Sequence, residues 1–472
     1  MSEITQKSLE SNLQQLKCHF TWNLLEGENS LDDFEDRVFN QSEFQNSEFR
    51  ATMCNLQAYI KHCRGQNEAA LACLRQAEEF IQQDHADQAE LRSLVTWGNF
   101  AWVYYHMGQL SEAQTYVDKV KHVCEKFSSA YKIESPELDC EEGWTRLKCG
   151  KNQIQWAKVC FEKALEKNPK SPEFSSGLAI ISYRLDNMTL SQNPIRPLRK
   201  AIELNCDNQY VKVLLALKLQ KMNLEEGEGE RLVEEALEGA PGATDVLRSA
   251  AKLYRNKRAL DKAIELLTKA LEHMPDNTYL HYHIACCYKL KITQELNMVE
   301  NTVYRRREKL LKLIGQAVDH FKKAESNGNL FRVASYLAGL YALADQHEEA
   351  EHYFQKAFSQ ELTPISKQVL HLRYGNFQLY QMKCEDRAIH HYMEGVKINK
   401  DSKEREKMKC KLENIVKKRL SKNEADAEAL CILAFLQELN GDMQQAGEDA
   451  ERGLGPGNLL PSASLEETRN EE

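Results

Sequence analysis

Alanines that close an apolar stretch recur at Ala164, Ala201, Ala236, Ala270, Ala324 and Ala357, with gaps of 37, 35, 34, 54 and 33 residues. A period near 34 held across so much of a chain selects stacked repeats over a single compact core. The block from Thr244 to Asn277, TDVLRSAAKLYRNKRALDKAIELLTKALEHMPDN, shows the unit best. Leu247, Ala250, Ala251 and Tyr254 mark the inner face of a first helix; Ala263, Leu267 and Ala270 mark that of a second, and Pro275 closes the unit. Ala251 and Ala263 are expected where the two helices cross, because a larger side chain would push them apart. The gap of 54 places an insertion of about twenty residues near Lys291 to Lys309.

Composition agrees with stacked helices. At 472 residues the chain exceeds one ordinary core, and with only 21 Gly and 10 Pro it is short of the breakers an all-β chain needs at its turns. No run of 18 apolar residues exists, which argues against a membrane span. The N-terminal MSEITQKSLESNLQQL has no basic region followed by an apolar one, so no secretory signal is expected. Ser135-Pro136-Glu137 and Ser171-Pro172-Glu173 each offer a capping Ser, Pro in the first turn and an acid near the positive end of the dipole, so helices are predicted to begin there.

The pattern excludes most chemistry. The 14 cysteines are scattered without a CxxC, so they read as reduced thiols acting as small hydrophobes rather than zinc ligands. No P-loop, GxSxG, GxGxxG, HExxH or kinase signature occurs, and the chain is expected to be neither an enzyme nor a metal or cofactor protein. His283 and Cys287 are four apart on one helix, as two ligands could be; lacking two further ligands at matching spacing, His281, His283, His390 and His391 read as packing or surface histidines.

The charge is uneven. The formal charge is −9, yet residues 241–425 carry 33 Lys+Arg against 23 Asp+Glu, a net of +10, which leaves −19 for the rest. Such asymmetry suits a polyanion partner or an oriented oligomer; surface drift is the plainer alternative. Arg248, Lys252 and Arg255, spaced by four and three, point one way from one helix. A cation also follows the helix Tyr in Tyr183-Arg184, Tyr254-Arg255 and Tyr288-Lys289, and equivalent positions in stacked hairpins form a ladder suited to a phosphate backbone. Between Lys397 and Lys422 eleven Lys+Arg face four acids, with Lys400, Lys403, Lys407, Lys411 and Lys418 on one helical face. That run is either a phosphate contact or a solvated face. Arg305-Arg306-Arg307 in the inserted segment reads as an exposed loop or helix end in preference to another anion contact. Most aromatics, such as Trp97, Tyr104 and Tyr341, fall where hairpins pack together.

The repeat resembles the tetratricopeptide repeat over residues 51 to 456. The fold expected is therefore all-α: a tetratricopeptide-repeat right-handed superhelical solenoid of helix hairpins. A helical cap is expected over residues 1–50, N-terminal repeats over 51–241, basic C-terminal repeats over 242–456 with the insertion near 291–309, and a disordered acidic tail over 457–472. Some such domains clamp a C-terminal carboxylate with inner Lys and Asn; Asn55, Tyr59, Gly98 and Trp102 do not match that clamp.

Longer segments carry a more specific likeness. LKCHFTWNLLEGENSLDDFEDRVF (Leu16 to Phe39), LVTWGNFAWVYYHMGQLSEAQ, GLAIISYRLDN, DVLRSAAKLYRNK and HLRYGNFQLYQMKCEDRAIHHYMEGVKI are similar to the interferon-induced proteins with tetratricopeptide repeats, nearly end to end. The resemblance implies an interferon-induced, cytoplasmic antiviral effector that binds RNA in a basic solenoid channel. Some members grip a 5′ triphosphate or an incompletely methylated cap; the branch this chain matches best implies single-stranded, AU-rich RNA and inhibited expression or translation of viral RNA. Homo-oligomers, hetero-oligomers with related members, translation initiation factor 3 and apoptotic partners are also implied. The alternative is a scaffold acting through those proteins, with RNA incidental. The family's channel cations map onto Arg184 in YRLD, Lys252 and Arg255 in AAKLYR, Lys289 in CCYK, Arg37 in FEDRVF and, in the basic C-terminal helix, Lys407. The chain carries Asn256 where relatives often have a second basic residue.

Overall fold

The computed structural model describes residues 6–26, 30–36, 38, 50–189, 193–224, 227–297, 303–325 and 330–440. No strand occurs among them, and the fold is all-α, of the tetratricopeptide-repeat type. Two compact units divide at Arg306 and Arg307.

The first unit opens with α1 (Gln6–Leu13) and α2 (Leu31–Asp36). Helix hairpins follow: α3 (Arg50–Cys63) with α4 (Asn67–Asp84), then, after the short α5 (Ala89–Arg92), α6 (Leu94–His106) with α7 (Leu110–Glu125), and α8 (Pro136–Cys149) with α9 (Ile154–Lys167). Next come α10 (Pro172–Thr189) with α11 (Ile195–Leu204), α12 (Gln209–Lys221) with α13 (Glu228–Gly239), and α14 (Thr244–Asn256) with α15 (Leu260–His273). Helix α16 (Thr278–Asn297) packs on α15.

The second unit holds most of α17 (Val303–Lys323). It continues with the hairpins α18 (Leu330–Leu343) with α19 (His347–Phe358), α20 (Pro364–Tyr380) with α21 (Glu385–Lys397), and α22 (Lys403–Leu420) with α23 (Ala427–Asn440). Of the insertion near 291–309, the described residues belong to helices: α16 and α17 run 20 and 21 residues, against 13 and 14 for α14 and α15.

Local chemistry sets these boundaries. Ser135 caps α8 by accepting from the Glu137 amide at 3.2 Å, with Pro136 in the first turn. Ser171 accepts from the Phe174 amide at 3.3 Å, and Thr363 caps α20 with Pro364 next to it. The turn inside six of the described hairpins uses a left-handed residue. Gly65 and Gly108 supply it twice, but Asn223, Arg258, Asp345 and Lys383 hold the same conformation in other hairpins. The turn geometry thus persists where its glycine signature has been lost, at a cost of about 1 kcal/mol per non-glycine residue.

Small residues let the helices close. Ala250, Ala251, Ala263 and Ala270 are all buried. The Phe161 ring lies between Gly143 and Gly177; a Cβ on Gly143 would stand 2.8 Å from it, and one on Gly177 closer still. Burying Phe161 removes about 150–250 Å² from water, so both glycines are needed for that core.

The N-terminal segment packs α1 on α6 and α7. His19 is buried in a polar network beneath α3 and α6: its amide donates to Asn99 Oδ1 at 3.1 Å, Asn99 Nδ2 lies 3.1 Å from its Nδ1, and Thr145 Oγ1 is 3.3 Å from its Nε2. Asn55 is buried in the same network, donating to Thr96 Oγ1 at 3.0 Å. No cysteine is in a disulfide; Cys18 and Cys149 are among the buried ones, whereas Cys63, Cys206 and Cys410 are exposed and do not act as core hydrophobes. No helix of the described residues is long and apolar enough to cross a membrane. The expected tail over 457–472 lies outside the described residues.

Candidate nucleic-acid interface

Helix α14 buries Leu247, Ala250 and Leu253 against its neighbours, while Ala251 shares a stripe along the helix with Arg248, Lys252 and Arg255, of which Arg248 is itself buried. Helix α16 answers with Tyr279, His283 and Cys287, each four residues from the next and therefore on one stripe. The three cations and these three residues line a cavity of about 250 Å³, with Leu267 of α15 at its wall. A water molecule occupies roughly 30 Å³ of liquid, so the cavity has room for a phosphate group and more.

The wall is an organised cation cluster. The Arg248 guanidinium sits 5.2 Å from the Tyr279 ring centroid, a cation–π contact. Tyr279 meets His283 edge-on at 4.3 Å between centroids. Arg255 donates from Nη1 to His283 Nδ1 at 3.0 Å. Arginine can only donate, so Nδ1 carries no proton and His283 is neutral here, with its proton on Nε2. Burial, then Arg255, Arg248 and Lys252, push the His283 pKa down to about 3. Lys252 reaches solvent at the cavity mouth; lost hydration along the wall, then Arg255, Arg248 and Lys221, lower its pKa. Burial likewise lowers that of Arg248. Like charges held this close favour an anion between them.

Arg184 lies deeper. From α10 it donates Nη1 to the Leu147 carbonyl at 2.9 Å. Burial lowers its pKa, while Tyr210, Asp245 and Tyr279 act in the opposite direction, so it stands within electrostatic reach of the cavity's Tyr279. Lys148, buried beside it, is pushed well below the usual lysine range by desolvation despite Asp245. Asp245 therefore offsets part of the positive charge at the inner end.

Of the residues singled out in the sequence, Lys252 and Arg255 share one cavity, and Arg184 is coupled to its wall. Lys289 is half-buried on α16, six residues past His283 and about 120° round the helix, and does not line the cavity. Arg37 lies outside the described residues. Lys407 is exposed on α22 of the second unit. On that helix Arg405 donates to the Val396 carbonyl at 2.9 Å, Arg419 is held by Glu385 at 2.7 Å and Asp386 at 3.0 Å, and Lys411 contacts the Tyr380 hydroxyl. Lys400 precedes Ser402, the cap of α22, so it does not share that helix's face as expected.

Tyr279, Lys148 and Asp245 escaped the sequence reading, which weighed His283 and Cys287 only as a metal pair. The Tyr279/His283/Cys287 stripe was the available signal. His283 is not merely a packing histidine: it is the acceptor that holds Arg255. No group of three or more His, Cys, Asp or Glu residues suited to a metal occurs among the described residues.

No protein-family model matches the chain. It is 74% identical over 468 residues to interferon-induced protein with tetratricopeptide repeats 2 of Homo sapiens, covering 98% of this chain and 99% of that protein. The Mus musculus protein of the same name is 58% identical over 468 residues, covering 99% of each. The chain belongs to the interferon-induced proteins with tetratricopeptide repeats. A solved structure of this family, the human IFIT1 dimer with m7Gppp-AAAA, matches with a TM-score of 0.74 and 44% identity, covering 94% of this chain and 99% of that one. An IFIT1 monomeric mutant with Gppp-AAAA matches at 0.77 and 44%, with the same coverage.

Proposed function

We propose that this chain binds single-stranded RNA without catalysis, as a cytoplasmic, interferon-induced antiviral effector that inhibits expression or translation of viral RNA. The carrying observation is the convergence of Arg248, Lys252 and Arg255 on one cavity beside Tyr279 and His283. Cations there neutralise the backbone, and Tyr279 offers a ring beside which a base can stack. The RNA held by human IFIT1 in its solved structures supports this reading. Arg184 sets the inner end of the channel, Lys289 and Arg37 are further RNA contacts in this reading, and Lys407 provides a separate contact on the second unit. AU-rich preference arises from unpaired bases read along the groove. Self-association, pairing with related members and contact with translation initiation factor 3 or apoptotic partners belong to the same reading; human IFIT1 has been solved as a dimer.

The test is a titration of the full chain with fluorescent AU-rich and GC-rich single strands at three salt concentrations. Neutralising about five phosphates gives a log–log salt slope of roughly −3.5. Selective AU-rich binding with that slope is expected. Binding no better than that of an equally acidic control protein would leave the scaffold reading in its place.

A further inference from the structure

Resting on the RNA-binding reading, we infer that His283 is a conditional anion-binding residue: it takes up a proton when a backbone phosphate enters the α14–α16 cavity, so RNA binding tightens on acidification. The geometry supplies the mechanism. In the free protein Arg255 donates to His283 Nδ1 at 3.0 Å, and the lone pair that would accept a proton is occupied. The groups facing the ring from α14 are Arg248, Lys252 and Arg255; those from its own helix are Tyr279, Tyr282 and Cys287; α15 presents only the apolar Leu267. No carboxylate lines the cavity. An imidazolium there would face three cations with no carboxylate on the cavity wall, Asp245 acting on Arg184 and Lys148 at the inner end, so the ring stays neutral.

A phosphodiester reverses this balance. It gives the Arg255 guanidinium a charged acceptor stronger than a neutral imidazole. Arg255 turns to it, Nδ1 is released, and the negative charge favours the protonated ring. The imidazolium then donates to the phosphate as a fourth cation. The only bond change is the proton transfer: an N–H bond forms at Nδ1 as hydronium or a buffer acid gives up its proton.

The magnitude follows from linkage. Burial and the three cations hold the free ring at about 3. If the phosphate restores the ordinary histidine value of about 6.5, affinity rises about tenfold between pH 7.5 and pH 5.5, and about half a proton is taken up per complex at pH 6.5.

The experiment uses the full chain and a 5′-hydroxyl A/U oligonucleotide, which has no terminal phosphate to titrate in this range. Calorimetry at pH 6.5 in two buffers of different ionisation enthalpy counts protons without any variant; fluorescence titrations from pH 5.5 to 7.5 give the slope for the wild type and for His283→Gln. A buffer-dependent enthalpy, the tenfold change in the wild type and a flattened profile in the variant are expected. Binding with no proton uptake, or a His283→Gln profile as steep as the wild type's, overturns the role of His283 and leaves the RNA reading standing. No binding at any pH overturns the RNA reading and the inference with it.

Discussion

Lys252→Gln separates a binding role from a structural one by moving two observables in opposite directions. Lys252 is exposed, four residues after Arg248 and three before Arg255, and both lower its pKa. In the free protein it is therefore a repelled charge. Like-charge pairs at this spacing destabilise a helix by about 0.2–0.5 kcal/mol each, so two of them predict a variant slightly more stable than the wild type. With RNA bound the sign inverts. A charge-assisted hydrogen bond to phosphate contributes roughly 1.5–3 kcal/mol, and the solvent exposure of Lys252 puts it at the low end, about a tenfold weaker Kd. One phosphate contact fewer also reduces the salt slope by about 0.7, from roughly −3.5 to −2.8. Between 50 and 200 mM salt the wild type should lose about 130-fold in affinity and the variant about 50-fold. Fluorescence titration gives the slopes, and thermal unfolding without RNA gives the stability. Unchanged affinity and slope in a folded variant would refute the assignment. A clear loss of stability would show that Lys252 is held by favourable contacts and that the repulsion argument is wrong.

Three further outcomes concern the scaffold. Asp186→Ala strands the Lys218 ammonium, which is paired with it at 2.7 Å and only 7% exposed, and should cost about 3–5 kcal/mol in urea unfolding; the double change to Ala and Met should recover most of that. Gly177→Ala drives a methyl into the Phe161 ring and should cost about 1–3 kcal/mol, with Phe161→Leu in the same chain relieving it; a neutral Gly177→Ala would mean the hairpins can shift apart. His19, held near 3 by burial against a hydrogen bond to Asn99, has a depressed pKa in the folded chain. The unfolded chain, at about 6.5, then binds more protons between the two values, so stability is full above about pH 6.5 and falls as pH drops toward 3, by about 2 kcal/mol at pH 5. His19→Gln should flatten that part of the profile in denaturant titrations, and an unchanged profile would assign the acid sensitivity elsewhere.

Much of the fold was legible because its cause is local. Ala251 and Ala263 are small and buried as a helix crossing requires, Ser135-Pro136 carries its own helix-start signal, and a period near 34 needs no tertiary information to be seen. The hairpin turns were less legible. Arg258, Asp345 and Lys383 adopt the left-handed conformation that Gly108 adopts, because flanking helices hold them there, and nothing in their identity announces it. The insertion near Lys291 gave its length but not its form, since added residues can loop out or extend a helix.

The candidate site divides along the same line. The sequence by itself placed Arg248, Lys252 and Arg255 on one face, because side-chain direction within a helix is fixed by the 3.6-residue turn. It could not decide which of the cations after tyrosine share a space. The tertiary structure put Arg255 against His283, coupled Arg184 to Asp245 and Tyr279, and left Lys289 off the cavity wall. That outcome depends on how α16 is rotated when it packs on α15, which is set by many small apolar contacts at once. Helical periodicity fixes what one helix presents; only packing fixes what it is presented to.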